Sequence, residues 1–230
     1  AHTELSVDAG SFVSIVGPSG CGKSTFLRLV SGLTKTTTGE LLVDDMEPSE
    51  ARQLKRHLSY VFQDATLLEW RRVADNVALP LELRGTRRSE IDERVDSSLR
   101  LVGLKDMAHL FPRQLSGGMR MRVSIARALI TEPGLLLMDE PFGALDEITR
   151  QRLNNELLSL WDKRRWTCLF VTHSVQEAVF LSQQVLVMSQ RPGRIAAKHN
   201  VNFPYPRDRS LRTSPEFGRL VAQVSKDLDG

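Results

Sequence analysis

The sequence has 230 residues, of which 41% are hydrophobic and 26% are charged, and its formal net charge is +3. This length suits one well-buried α/β domain, with or without a smaller lobe, and no run approaches the ~18 consecutive apolar residues of a membrane-spanning helix. Basic residues are interleaved with acidic ones, whereas nucleic-acid-binding proteins usually concentrate them in one stripe. We therefore expect a chain that does not cross a bilayer by itself and has no nucleic-acid partner.

The two cysteines, Cys21 and Cys168, are too few for a disulfide framework and favour a reducing compartment. We expect both to serve in packing. No signal-peptide pattern is present, and the sequence begins without methionine and almost directly in a strand-like pattern. An N-terminal piece is therefore expected upstream of residue 1.

The first predicted elements lead into a glycine-rich loop. Leu5 and Val7 alternate with polar residues, which predicts a β-hairpin that turns at residues 8–10 into a strand over residues 12–16. Residues 17–25, the phosphate loop, then fit the pattern G-x-x-x-x-G-K-[ST], and a helical pattern follows them. The glycines let successive N–H groups point at an anion, and the positive end of the helix dipole points there too.

These features predict a nucleotide-binding loop in which Lys23 reaches the β- and γ-phosphates and the hydroxyl of Ser24 ligates Mg²⁺. The alternative, a turn that binds nothing, is disfavoured by the strand before the loop and the helix after it. The predicted nucleotide-binding residues of the loop are Gly17, Pro18, Ser19, Gly20, Cys21, Gly22, Lys23, Ser24 and Thr25.

Further along, residues 40–43 predict a short strand, and residues 48–53 a solvated turn or short helix. Residues 57–62 predict another strand, which ends at Gln63. The following residues, 64–70, have no clear period and indicate a loop with exposed hydrophobic groups. Its apolar side chains either contact a partner or fold back on the core, and the two alternatives stay even; they are Leu67, Leu68 and Trp70.

The middle of the chain carries helical patterns. A helix is predicted to begin at Ser89, where Ser89 and Asp92 form a capping box, and to stop at Gly103. Residues 115–119, Leu-Ser-Gly-Gly-Met, open another helix, whose N-terminus is a second candidate anion site as well as an ordinary helix start. Since residues from about 66 to 128 show no strand pattern, they are predicted to form a helical lobe inserted into the α/β domain.

Residues 135–138 form an unbroken apolar run, which predicts a buried strand, and Asp139 and Glu140 follow it directly. Two carboxylates at the end of a buried strand need a charged group or a metal beside them, because burying a charge alone is costly, so ionic partners are expected. Beyond Asp146 a helix is predicted, with Leu153, Leu157, Leu160 and Trp161 on one face. The next buried strand covers residues 167–172 and ends at His173.

Four predicted strands are thus each followed by polar candidate residues. Ligands of open α/β sheets bind beyond the carboxyl ends of the strands, so these groups are predicted to meet at one edge. Each has a structural alternative, with Gln63 as a turn residue, Glu140 as a helix start and His173 as a structural histidine. The convergence of four positions favours a site.

The C-terminal part predicts two short strands, 185–188 and 194–197, joined by a turn at residues 191–193. Residues 214–216, Ser-Pro-Glu, begin a last amphipathic helix. It is poor in lysine and arginine, so we expect it to dock on the body of the protein and not on a membrane.

Taken together, these motifs resemble the nucleotide-binding subunit of an ABC transporter over essentially the whole chain. The Leu-Ser-Gly-Gly signature is specific, because P-loop kinases and GTPases do not share it. The resemblance implies the P-loop NTPase fold of an ABC ATPase, which is an α/β fold with a mainly parallel core sheet, an antiparallel β part and an inserted helical lobe. Residues 1–230 then form a single ABC ATPase domain, and residues from about 200 to 230 form a C-terminal tail and helix.

The resemblance also implies two copies that hold two ATP molecules head to tail. Ser116, Gly117 and Gly118 of one copy would complete the γ-phosphate site of the other, and Asp146 would organise the seam. Mg²⁺ would be positioned by Ser24, Gln63 and Asp139. Glu140 would polarise the attacking water and His173 would contact the γ-phosphate, so the implied catalytic residues are Glu140, His173 and Gln63, with ATP and Mg²⁺ as cofactors.

Closer similarity to importers of the nitrate, sulfonate and taurine group, which includes carriers of pyrimidine vitamin precursors, comes from three segments. They are residues 62–70, residues 139–146, and residues 179–182 with 191–195. The similarity implies an ATPase on the cytoplasmic face of the inner membrane that powers a separate integral membrane permease, supplied by a solute-binding protein. In that group the Gln63 loop and the helical lobe contact a coupling helix of the permease, which favours Leu67, Leu68 and Trp70 as contacts.

Two other functions are weighed, an ABC ATPase of an exporter or lipid carrier and a soluble ABC ATPase acting on nucleic acid. The single compact cassette, without a coiled-coil insertion, disfavours the second. The sequence departs from the family pattern in lacking the upstream aromatic residue that stacks on adenine. It also has Met121 where glutamine is common and Glu69 where the importer group often has proline.

Overall fold

The computed structural model describes residues 4–53, 58–190 and 193–229. A six-stranded sheet lies at its centre, in the order β2-β3-β4-β1-β5-β6. The first five strands run parallel and β6 runs antiparallel to β5. The strands are β1 Phe12–Val16, β2 Leu58–Val61, β3 Leu135–Asp139, β4 Thr167–Val171, β5 Gln184–Met188 and β6 Ile195–Asn200.

Helices cover both faces of the sheet. They are α1 Lys23–Val30, α2 Pro48–Gln53, α3 Val73–Leu83, α4 Arg88–Leu101, α5 Gly117–Leu129, α6 Glu147–Arg164, α7 Val175–Leu181 and α8 Pro215–Asp229, with 3₁₀ helices at Lys105–Met107, Pro112–Gln114 and Arg209–Thr213. No helix within the described ranges is both long enough and apolar enough to span a membrane.

The sheet separates two apolar clusters, because consecutive residues of a strand point to opposite faces. On one face, Ile15 packs with Leu27 of α1 and Leu137 of β3. On the other, Phe12 and Phe170 pack with Trp161 of α6. The predicted α/β fold with a mainly parallel sheet and an antiparallel part is confirmed.

The described residues from 66 to 128 contain helices and no strand, as their pattern predicts. That this part forms a separate lobe stays a prediction. The predicted final strands and C-terminal helix are present as β5, β6 and α8. Of the turn predicted before β6, Arg191 and Pro192 lie outside the described residues, as does His57 of the predicted second strand.

Three local predictions are wrong. Leu5 and Val7 contact the apolar cluster but belong to no strand, so no hairpin leads into β1. Residues 40–43 form only an isolated bridge between Val43 and Met46, because Asp44 and Asp45, both with positive φ, turn the chain at once. Alternating apolar residues indicate that one face of a segment is buried. A β-strand also needs a neighbouring strand that pairs with its backbone hydrogen-bonding groups, and among the described residues these two segments lack one.

The capping box predicted at Ser89 is also absent. Helix α4 begins one residue earlier, with Arg87 at the N-cap and no side-chain cap. Ser89 therefore lies inside the first turn, where its hydroxyl cannot cap. Asp92 instead pairs with Arg88 one turn away, at 3.0 Å from Nε, and such i,i+4 pairs stabilise a helix start modestly.

Candidate active site

The phosphate loop connects β1 to α1 at the carboxyl edge of the sheet. Gly20 and Gly22 have φ of 75° and 111°, a region that residues with a Cβ rarely adopt, and Gly22 is the N-cap of α1. At Gly17 a Cβ would come within 2.8 Å of Cys21 Sγ and 2.9 Å of the Met188 carbonyl oxygen. The loop conformation therefore depends on glycine at these positions for both torsional and steric reasons.

Lys23 is the buried cation of the loop, with 6% of its side chain exposed. Its ammonium donates hydrogen bonds to the carbonyl oxygens of Gly17 at 2.8 Å and Pro18 at 3.2 Å. It also lies 3.8 Å from Glu140 Oε1. An ionic partner is thus present for one of the two carboxylates after β3, because Lys23 lies beside Glu140.

Asp139 ends β3 directly beside the first turn of α1. The Ser24 hydroxyl donates to Asp139 Oδ1 at 2.9 Å, and the Tyr60 hydroxyl donates to Oδ2 at 3.1 Å. Burial raises the pKa of Tyr60 far above its usual range, and the Asp139 charge and hydrogen bond raise it further, so Tyr60 acts as a neutral donor. Both carboxylate oxygens are thus fixed in orientation.

This donor set suits Mg²⁺, which prefers oxygen ligands and is usually bound by one or two carboxylates together with substrate phosphates. The hydroxyl of Ser24 and the carboxylate of Asp139 lie side by side, next to the loop that presents N–H groups to an anion. Within the described residues no three acidic, histidine or cysteine side chains form a metal cage. The pair therefore fits an ion shared with a nucleotide.

Glu140 and His173 lie at the ends of the neighbouring strands β3 and β4. Glu140 Oε2 is 3.5 Å from His173 Nδ1, and Glu140 donates its backbone N–H to the Val171 carbonyl oxygen at 2.9 Å. Glu140 has a φ of 47°, uncommon for a residue with a side chain, and such strain is often stored at functional sites. Their side chains are 21% and 53% exposed, so both can meet solvent or substrate.

The predicted convergence is thus present for three strand ends, since Lys23 and His173 each lie within 4 Å of Glu140, one at each of its carboxylate oxygens. The remaining candidate, Gln63, follows β2 and is exposed. Its side chain makes no hydrogen bond to any other residue that the structure describes. Gln63 is therefore at the predicted edge of the sheet, and no hydrogen bond joins its side chain to the other candidates within the described residues.

The Leu-Ser-Gly-Gly segment begins α5, as predicted, and Ser116 is its N-cap, accepting the Met119 N–H at 3.3 Å. Ser116 and Gly117 are exposed. Asp146 caps α6 in the same way by accepting the Thr149 N–H at 3.0 Å, and this bond lowers the pKa of Asp146. Among the described residues no hydrogen bond joins either helix start to the phosphate loop of the same chain.

The loop after Gln63 is held at two points. The amide of Asn76 bonds the backbone of Leu68, Arg71 and Arg72, and Arg127 donates to the carbonyl oxygens of Ala65 and Thr66. Leu67 packs partly against the core, whereas Trp70 is 75% exposed. The fixed loop therefore presents a large aromatic side chain to its surroundings.

Sequence reasoning missed two residues at this site. Tyr60 lies one residue before the end of β2, and its register opposite Leu137 puts it on the same face as Asp139. The parallel pairing of the two predicted strands could have indicated it. Gly193 lies against the phosphate loop, since a Cβ there would be 2.1 Å from the Cys21 carbonyl oxygen. No local pattern marks this contact, because it joins residues 172 positions apart in the chain (193 minus 21).

Comparison with known proteins gives consistent results. The sequence profile of the family described as ABC transporter matches residues 1–143. A taurine import ATP-binding protein, TauB, from Rhizobium johnstonii is 46% identical over 218 residues, which cover 93% of this chain and 82% of that protein. An aliphatic sulfonates import ATP-binding protein, SsuB, from Bacillus cereus is 37% identical over 222 residues, which cover 96% and 86%. The dimeric structure of an ATP-binding cassette in a post-hydrolysis state, bound to ADP and Pi, matches with a TM-score of 0.76 and 30% identity, covering 88% of this chain and 90% of that one.

Proposed function

Since this chain belongs to the ABC transporter family and is an ATP-binding ATPase of that family, we propose that it powers import of a small solute through a separate membrane permease. The taurine and sulfonate importers among its relatives support this direction of transport. We propose a solute of the nitrate, sulfonate, taurine or pyrimidine-precursor type, delivered by a solute-binding protein. Among these solutes, the names of the relatives support taurine and sulfonates. The chain would then lie peripherally on the cytoplasmic face of the inner membrane.

In the proposed reaction the amides of the phosphate loop and Lys23 bind the phosphates of ATP. Ser24, Gln63 and Asp139 would hold Mg²⁺, which would supply charge neutralisation at the phosphates when bound. Glu140 orients the attacking water and accepts its proton, while His173 contacts the γ-phosphate. Because phosphoryl transfer passes through a loose transition state, positioning and charge stabilisation supply most of the rate.

The second ATP-binding surface is proposed to come from another copy of the chain. In the described part of the chain no hydrogen bond joins Ser116, Gly117 or Gly118 to the phosphate loop of the same copy, and Ser116 and Gly117 are exposed at a helix start. Such a start attracts anions, because its free N–H groups and the helix dipole act together. The dimeric relative supports this arrangement. Asp146 and the neighbouring Ile148, which is 83% exposed, would lie at the seam.

The observation that carries the permease contact is the loop around Trp70. An indole that is 75% exposed is unusual on a surface that contacts only water, and Asn76 and Arg127 hold its backbone in place. A fixed aromatic anchor is what protein interfaces use, since little conformational entropy is lost on binding. Leu83, 79% exposed at the end of α3, adds a second apolar group.

The permease proposal is tested by purifying the tagged full-length protein from detergent-solubilised native membranes and identifying what accompanies it. A multi-span membrane protein is expected, and Trp70→Asp should lose it while keeping ATPase activity. Leu33→Asp is the matched control, since Leu33 is 51% exposed after α1, away from that loop. Recovery in the soluble fraction with nucleic acid or ribosomes would overturn the transport proposal and leave the ATPase activity standing.

The role of Glu140 is tested with Glu140→Gln, which keeps the size of the side chain and removes its basicity. ATP binding and dimer formation should persist, while kcat falls by about 10²- to 10⁴-fold, the usual contribution of a general base. Glu132→Gln is the control, since Glu132 is 67% exposed before β3, at the opposite end of that strand. Hydrolysis of ATP at the wild-type rate by Glu140→Gln would show that Glu140 is not the general base.

A further inference from the structure

A buried polar cluster lies behind His173, where β4 passes into α7. The Thr172 hydroxyl donates a hydrogen bond to Glu177 Oε2 and accepts the Ser174 N–H at 3.0 Å. Ser174 Oγ in turn accepts the Glu177 N–H at 3.3 Å. Glu177 is therefore bonded to both neighbours of His173. The His173 side chain itself is 53% exposed, so its position depends on this backbone.

Glu177 is an unusual residue for this place, because only 4% of it is exposed. Burial raises the pKa of Glu177, and the hydrogen bonds from Thr172 and Asn154 and the positive charge of Arg150 act against that rise. Its Oε1 atom is buried and has no hydrogen-bond partner within the described residues. A carboxylate in such surroundings requires a compensating cation.

Arg212, on the 3₁₀ helix Arg209–Thr213 of the C-terminal segment, supplies positive charge on the same side. Its guanidinium lies 3.6 Å from the ring centre of Phe180, a fully buried residue of α7. Burial lowers the pKa of Arg212 to about 10, and attraction to Glu177 and then Glu147 opposes this. Nε and Nη2 of Arg212 are buried and make no hydrogen bond in the part of the chain that the structure describes. Arg212 is thus held against α7 by stacking on the Phe180 ring and by attraction to the negative charges of Glu177 and Glu147.

From these contacts we propose that Glu177 and Arg212 are positioning residues that hold the segment 172–174, and with it His173, against the ATP site. The C-terminal segment then controls ATP turnover through α7 without touching the nucleotide. This inference rests on the proposed contact of His173 with the γ-phosphate. The proposed role of Glu177 and Arg212 differs from simple packing in two ways: the role depends on the charge of each side chain, and it affects ATP turnover only through the position of His173.

The test is a double-mutant cycle on the full chain, measured as steady-state ATP hydrolysis and ATP affinity. Glu177→Gln preserves shape, and Arg212→Met preserves an unbranched side chain over Phe180. Each should lower kcat about tenfold, within the range measured for residues that are coupled through the backbone, with ATP affinity unchanged. Combined with His173→Ala, each should cost less than twofold further, because the residue they position is gone.

Arg209→Met is the matched control, since Arg209 lies exposed on the same 3₁₀ helix, and it should leave kcat unchanged. Arg212→Lys, which keeps the charge, should recover part of the lost kcat. Equal losses with and without His173 would overturn the positioning role and leave only packing, as would wild-type kcat in Glu177→Gln. Wild-type kcat in His173→Ala would instead refute the proposed role of His173 and this inference with it. Should Arg212→Met fail to fold by thermal melting, the Glu177→Gln cycle decides.

Discussion

Replacing Gly193 by alanine tests how closely the turn before β6 fits the phosphate loop. The added Cβ would be 2.1 Å from the Cys21 carbonyl oxygen and 3.3 Å from its carbon, whereas real Cβ contacts essentially never fall below 3.0 Å. The φ of Gly193 is outside the left-handed region, so space and not torsion makes glycine necessary there. The turn or the loop must therefore move by at least 0.9 Å, the difference between those two limits.

A displacement of about 1 Å at groups that bind substrate typically costs about 10²-fold in rate. Binding groups must be held within about 0.5 Å of their productive positions, and the phosphate loop binds through its backbone. We therefore expect Gly193→Ala to lower kcat/KM for ATP by about 10²-fold, or about 2.7 kcal/mol. Overpacking should also destabilise the fold by about 1–3 kcal/mol.

The assay is steady-state ATP hydrolysis, together with titration of a fluorescent ATP analogue and thermal melting. Gly218→Ala is the matched control, because Gly218 lies in α8 with nothing within 4 Å of its added Cβ and no positive φ. It should bind ATP like the wild type and gain up to ~1 kcal/mol of stability from helix propensity. A kcat/KM of Gly193→Ala within about twofold of the wild type would refute this argument, since the loop would then keep its productive position despite the added Cβ.

Three further predictions concern the seam, the C-terminal segment and pH. Ile148→Asp should abolish the ATP-dependent dimer of Glu140→Gln in size-exclusion chromatography, because it charges an 83% exposed apolar group beside Asp146, and a surviving dimer would refute the proposed seam. Arg207→Met should destabilise the fold by ~3 kcal/mol and lower the Tm by ~6–12 °C. The buried guanidinium donates to carbonyl oxygens of residues 179, 180, 182 and 203, and an unchanged Tm would show that water replaces it. The hydrogen bond from the Thr149 N–H lowers the pKa of Asp146 in the folded protein, so the charged carboxylate stabilises the fold at pH values above the pKa of Asp146 in the unfolded chain. This stabilisation is lost as the pH falls through the pKa of Asp146 in the folded protein. The difference in Tm between the wild type and Asp146→Asn should therefore close below about pH 4. A difference independent of pH would refute that origin.

The sequence was sufficient to predict which edge of the sheet carries the candidate site, because each strand there is a short apolar run that is followed by a polar residue. Parallel strands place such ends together, so Lys23, Glu140 and His173 could be expected to meet. The starts of α5 and α6 were also predictable, since Ser116 and Asp146 are common N-caps.

What escaped prediction depends on contacts between distant parts of the chain. The Tyr60 hydroxyl gains its role only when β2 lies beside β3, and Arg212 only when the C-terminal segment reaches α7. The strand predicted at residues 40–43 fails for the opposite reason, because its local pattern is suitable but only Val43 finds a bridge partner. Local sequence specifies a tendency, whereas the neighbours decide whether it is realised.

The position of β1 in the middle of the sheet has a consequence during synthesis. Val16, the residue before the phosphate loop, pairs with Val187, which leaves the ribosome 171 residues later (187 minus 16). At about 5–20 residues per second, roughly 10–30 s pass during which β1 has emerged without β5. A nascent chain therefore cannot complete the pairing of β1, the strand that leads into the phosphate loop, until β5 has emerged. Until then, the apolar β1 needs shielding by a chaperone or by transient collapse.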